Sequence, residues 1–260
     1  MIGSNPALNE NTFDLGYDID TQAAPVMTLS STVFKSLTLI GICIVCATIT
    51  WGLTTKGGVF DMGVAMPWVV GGAIGGFVLA LITIFKPKAS PVTAPLYAAA
   101  EGLFLGAISA MYEASFGSVN GQAGLYSGIV IQAVALTMAV TLVMLTLYGT
   151  RIIRVTEKLR AGVIAATGAV VLVYLASFVL GFMNIQIPYL HSSGPIGIGI
   201  SLVIVGIAAF NLLLDFDLIE RGVKTGAPKY MEWYAGFALL VTLVWLYLEI
   251  LRLLSKLRSR

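Results

Sequence analysis

The chain has 260 residues, of which 58% are hydrophobic and 11% charged, with a formal net charge of +2 and a mean hydropathy of +0.92. Ordinary soluble domains place about a quarter of their residues on charge, so this composition excludes a typical water-soluble enzyme, and so small a positive excess gives no reason to expect a nucleic-acid partner. One His and two Cys leave too few soft ligands for a zinc centre of the usual kind and no disulfide framework.

Residues 1–30 are polar and carry Glu10, Asp14, Asp18 and Asp20 but no Lys or Arg. They read as a disordered acidic tail. A signal peptide would need a basic segment directly before its apolar core, so the first span is expected to remain in the mature protein. Apolar runs, each close to the ~20 residues that a spanning helix needs, follow at 31–53, 64–85, 94–112, 125–148, 161–183, 196–216 and 230–257. The expected fold is all-α: a polytopic membrane protein whose residues 31–260 form seven transmembrane helices in a lipid bilayer.

The loops after the second, fourth and sixth spans hold Lys86 and Lys88, then Arg151, Arg154, Lys158 and Arg160, then Arg221, Lys224 and Lys229. The odd-numbered loops hold only Lys56. By the positive-inside rule the even loops and the N-terminus are cytoplasmic. Seven full crossings would then leave Lys256, Arg258 and Arg260 outside. Either the last helix crosses incompletely or the earlier loops outvote the tail, and the second is preferred because early loops usually dominate.

Glycines at four-residue spacing, Gly71 with Gly75, Gly72 with Gly76 and Gly102 with Gly106, let helix backbones approach closely where lipid supplies no hydrophobic force between helices. Plain packing is the simpler reading, and sliding or hinging of these faces is the functional one. Cys43 and Cys46, in an apolar run, read as small buried residues.

Acids at membrane depth cost about 2.5–3.5 kcal/mol on insertion scales and are functional candidates by default. Glu101 is expected seven residues into the third span, and Asp215 closes the sixth in LLLDFDLIERG. Glu232 opens the seventh span and Glu249 lies toward its far end. Asp217 and Glu220 read as loop residues facing Arg221 and Lys224. Glu232 has an interfacial reading beside Trp233 and Tyr234, and Glu249 stands three residues before Arg252, an ion-pair spacing. Asp215 and Glu101 resist such explanations best, since no Lys or Arg occurs in the third span or inside the sixth. Glu101, Asp215 and Glu232 are expected near one level. Two carboxylates sharing a low-dielectric site hold a proton between them, and hard cations such as calcium prefer the same oxygens. Asp215 and Glu101 are thus the candidate cation ligands, with Glu249 and Glu232 as further members of a pH-sensing set.

No enzyme is expected. GGAIGG lacks the following Lys of a phosphate loop, a metalloprotease helix motif is missing, and His191 in QIPYLHSSGP has no acid nearby.

YAAAEGLFLGAIS (97–109), FNLLLDFDLIERG (210–222) and WLYLEILRLL (245–254), in that order on a seven-span chain, resemble the Bax inhibitor-1 family, also called the transmembrane Bax inhibitor motif or YccA-like family. The resemblance covers nearly everything after residue 30. It implies a bundle wrapped around a central last helix, a pH-sensitive calcium leak with no bound cofactor and, for bacterial relatives in the inner membrane, restraint of an AAA-type membrane protease. It also implies a pair of Asp residues on the sixth and seventh helices as the pH sensor. The first carries over to Asp215. For the second, LYLE nominates Glu249, but Glu249 lies about 28 Å of helix beyond the turn; alignment from the turn instead places the position near Thr242, in which case the chain lacks the pair or rebuilds it with Glu101 or Glu232. Two functions therefore stand: a proton-controlled cation leak or exchanger, and a regulatory protein that engages a membrane protease through its acidic tail.

Overall fold

The computed structural model describes residues 26–56, 59–117, 128–183 and 192–259. Seven long helices run through them: α1 (Leu29–Thr54), α2 (Met62–Phe85), α3 (Ser90–Phe116), α4 (Ile129–Gly149), α5 (Glu157–Phe182), α6 (Pro195–Lys224) and α7 (Met231–Arg258). A single 3-10 turn, Pro87–Ala89, joins α2 to α3. All seven helices are long and apolar enough to cross a membrane; at about 1.5 Å per residue even α4 exceeds the ~30 Å of a hydrocarbon core.

Large apolar side chains face outward on the peripheral helices, among them Phe34, Phe77, Leu142, Leu172 and Phe178. This is expected where the surrounding solvent is lipid. The core instead gathers on α3 and α7, and α7 packs against α1, α3, α4 and α6. Leu240, Leu246, Ile250 and Leu251 of α7 are buried with Leu39, Ala98, Leu212 and Leu213 from the helices around it. The last helix is therefore the axis of the bundle.

Two glycines set the α1–α3 crossing. A Cβ on Gly102 would lie 2.3 Å from the Cys43 carbonyl oxygen, and one on Gly106 would lie 2.2 Å from that of Ala47. Gly72 does the same for α2 against α3, its Cβ meeting Phe104 at 2.8 Å. Gly71, at the same spacing but on another face, meets nothing within 4 Å.

Helix ends follow local chemistry rather than hydropathy. Asp61 caps α2 by accepting from the Gly63 and Val64 amides, and Thr156 caps α5 by accepting from Leu159, each satisfying amides that no intrahelical carbonyl reaches. Hydropathy ends the sixth span at 216, yet α6 continues to Lys224. Pairs at i,i+4, Asp217 with Arg221 and Glu220 with Lys224, support the extra turns, and their cations lie at the negative end of the helix dipole. Gly226, at φ 63°, then reverses the chain while Ala227 donates back to the Gly222 carbonyl, a glycine-terminated helix end.

The reading of 1–30 as a free tail needs correction at its end. Val26 bridges Pro228, Met27 donates to the Ala227 carbonyl and is buried against Ile219 and Ala235, and α1 already begins at Leu29. An apolar Met beside a groove between α6 and α7 holds these residues in the bundle. The rest of that segment, 1–25, lies outside the described residues, as does His191.

Contacts between helix ends establish that the helices alternate in direction. Ser90 donates to the Tyr230 carbonyl, and Arg151 reaches Glu220, so the start of α1 and the three even-numbered turns share one end. Arg258 donates to the Phe116 carbonyl and Ser193 contacts Ser259, so the C-terminus lies at the other end. The last helix crosses the full bundle.

Candidate functional site

The four acids singled out by sequence occupy four different surroundings. Asp215 lies about 14 Å from the C-terminal end of α6. Its neighbour across the interface is the Thr242 hydroxyl of α7, about 16 Å from the start of that helix. Asp215 Oδ2 is sealed from solvent and has no hydrogen-bond partner among the described residues. No ion pair to Asp215 exists among the described residues. The register set by the α6–α7 turn therefore brings Thr242, not an acid, across from Asp215.

Glu101 sits on α3 with Tyr97 donating to its Oε1 at 2.9 Å. Its carboxyl lies against Gly76 of α2, at 3.6 Å from where a Cβ would stand. Tyr97 in turn packs edge-on to Phe237 of α7, ring centroids 4.8 Å apart. Because α3 starts at Ser90, four residues before the apolar run, Glu101 is about 16 Å from the helix start rather than 10 Å. It matches Asp215 in depth but faces other neighbours.

Glu232, in the first turn of α7, is fully buried and saturated. Its carboxylate accepts from the Thr28 amide at 3.0 Å and the Ser31 hydroxyl at 2.8 Å, and is ion-paired with Lys35. The Lys35 ammonium also lies 5.3 Å from the centre of the Trp233 ring. An acid placed on unsatisfied amides at a helix start is favourable on hydrogen-bonding and dipole grounds alike. Glu232 is not on the level of Glu101 and Asp215, because it belongs to the helix end and they lie two to three turns inside.

Glu249 is also buried, and the spacing to Arg252 does form the ion pair, at 3.3 Å. Tyr174 of α5 donates to Glu249 at 2.7 Å and Trp245 at 3.2 Å. It stands seven residues beyond Thr242, about 10 Å farther along the axis.

Seven-residue steps order the α6–α7 interface. Asp215 faces Thr242, and fourteen residues along each helix Lys256 donates to Ser201 Oγ at 2.8 Å and to the Gly197 carbonyl at 3.1 Å. Buried Ala208 and Glu249 hold the intermediate steps. Beside them, Asn211 donates to Thr167 of α5 at 2.7 Å, and Asp217 is bracketed by Arg160 at 2.5 Å and Arg221 at 2.8 Å. Polar groups therefore recur from one end of α6 to the other, and Asp215 is the acid among them without a cation.

Among the described residues no three His, Cys, Asp or Glu side chains group as a metal site. Calcium takes six to eight oxygens, and neither Asp215 nor Glu101 is joined by two further acids among the described residues. Sequence reading passed over Glu113, near the end of α3, whose carboxylate accepts from the Val130 amide at 3.2 Å; an acid twelve residues before an apolar run gave no signal of capping.

A family model described as Bax inhibitor 1 like matches residues 5–259. No curated protein and no solved structure matches the chain.

Proposed function

The chain belongs to the Bax inhibitor 1 like family and is an integral membrane protein; from that premise we propose that it is a pH-sensitive calcium or cation leak, or exchanger, controlled at Asp215. The observation that carries this reading is the partnerless Oδ2 of Asp215, sealed between α6 and α7. Such an oxygen is costly to leave unsatisfied, and a proton or a cation can each satisfy it. Exchange between the two would couple pH to ion passage. Glu101, at similar depth with Tyr97 as its one hydrogen-bond donor among the described residues, is the further oxygen ligand. Glu249 and Glu232 serve this reading as charged braces on α7 whose release would accompany opening.

The reading includes a bacterial inner (plasma) membrane with the N-terminus cytoplasmic, supported by the basic residues gathered at that end. The test uses liposomes loaded with a calcium dye. Wild type should leak in a pH-dependent manner, and Asp215→Asn should leak without responding to pH. Identical traces from the two proteins would remove Asp215 as the control point.

A second reading draws on the dispersal of the acids: a regulatory protein that binds and restrains an AAA-type membrane protease. With Glu232 and Glu249 committed to ion pairs, much of the buried charge serves architecture. Removing residues 1–25 should then abolish co-purification with the protease while leaving calcium release intact; retained co-purification counts against it.

A further inference from the structure

We propose that the cleft between the α4–α5 turn and the end of α6 binds a phosphate group, carried by the headgroup of an anionic phospholipid. The cleft has a volume of about 200 Å³ and is lined by Arg151, Arg154, Arg221 and Lys224 against two acids, Asp217 and Glu220. Its lining is therefore cationic in balance. The acids are already engaged: Asp217 with Arg160 and Arg221, Glu220 with Arg151, Lys224 and the Tyr148 hydroxyl. Arg154 is exposed and makes no ion pair among the described residues.

Backbone geometry singles out the same place. Arg151 has φ 57°, the one non-glycine in the left-handed region among the described residues. A long side chain in that conformation is uncommon, and strain of this kind persists where surrounding structure enforces it. Here it turns the guanidinium toward Glu220, at 3.2 Å, on the wall of the cleft. Ile152 next to it is 72% exposed, and Ile153 and Val155 complete the lining, so the charged hollow adjoins apolar surface at a helix end. Arginine forks match phosphate oxygens, and basic pockets between helices at the membrane surface suit anionic headgroups. The apolar border favours a lipid over a free phosphate. This site stands whether or not ions move past Asp215.

The test places the full chain in nanodiscs of phosphatidylglycerol mixed with phosphatidylcholine, releases it, and counts retained lipids by native mass spectrometry. Wild type should retain phosphatidylglycerol in preference to phosphatidylcholine. Arg154→Gln and Arg151→Gly should each weaken that retention about fivefold, the effect of one cation near a charged surface. Arg151→Gly also removes the left-handed strain, so unchanged or higher thermal stability in that variant separates lost binding from lost fold. Equal retention by wild type and both variants would overturn the proposal. Displacement of the lipid by inorganic phosphate, with the same stabilisation from phosphate alone in detergent, would overturn the lipid as occupant.

Discussion

Glu232 is a buried charge held in place by the start of another helix. Its carboxylate joins the first turn of α7 to the start of α1 through Thr28, Ser31 and Lys35. Glu232→Ala leaves Lys35 and the Thr28 amide without their partner, and removing one member of a buried pair destabilises by about 3 kcal/mol. Thermal unfolding in detergent should register the loss, with Glu232→Gln intermediate because an amide oxygen still accepts. Asp215 is the opposite case, and its neighbour Thr242 allows a gain rather than a loss. Thr242→Asp sets two carboxylates face to face, and coupled acids titrate in two steps. The pH profile of dye-reported calcium release should broaden or split; an unchanged profile would show that the two positions do not communicate. Residue chemistry was only partly legible beforehand. The Glu249–Arg252 pair follows from spacing, whereas the locking of Glu232 depends on residues about 200 positions away, which no local pattern encodes.

At the scale of elements, the glycine pattern separates into working and idle members. Gly102→Ala and Gly106→Ala push a methyl into the α1 backbone, at 2.3 and 2.2 Å, and overpacking of this kind costs about 1–3 kcal/mol. Gly71→Ala meets open space and should be neutral or slightly stabilising, since Ala is the better helix former. Melting temperatures of the three variants provide the check. The spans themselves were readable from apolar runs, because a helix in lipid must be apolar for about 20 residues. Their ends were not. The last two turns of α6 are made of charged pairs, and the first turn of α3 carries Ser90 and Pro91, so hydropathy ends before the helix does.

The whole molecule has two chemically different ends. Lys86, Lys88, the α4–α5 cluster and Arg221, Lys224 and Lys229 gather at the end that also holds the start of α1, while Arg252 and Lys256 turn inward near the other end. Single cysteines at Lys88 and Ser259, in a background lacking Cys43 and Cys46, should react with an impermeant maleimide from opposite sides of sealed vesicles. Labelling from the same side would contradict the crossing of α7. The loop-charge count conflicted with its own C-terminal residues, one of which turns out not to be a loop residue. Lys256 is buried against Gly197 and Ser201, so it counts with the bundle rather than with the loops.

The clasp between α1 and Glu232 also has a temporal side. A ribosome delivers α1 first and residue 232 only after six helices have been threaded into the bilayer, so the earliest segment must wait, its ammonium unanswered, until the final one arrives. Closure of this clasp accordingly waits for α7, and nascent chains halted before it should remain open to proteases and chaperones that the assembled bundle excludes.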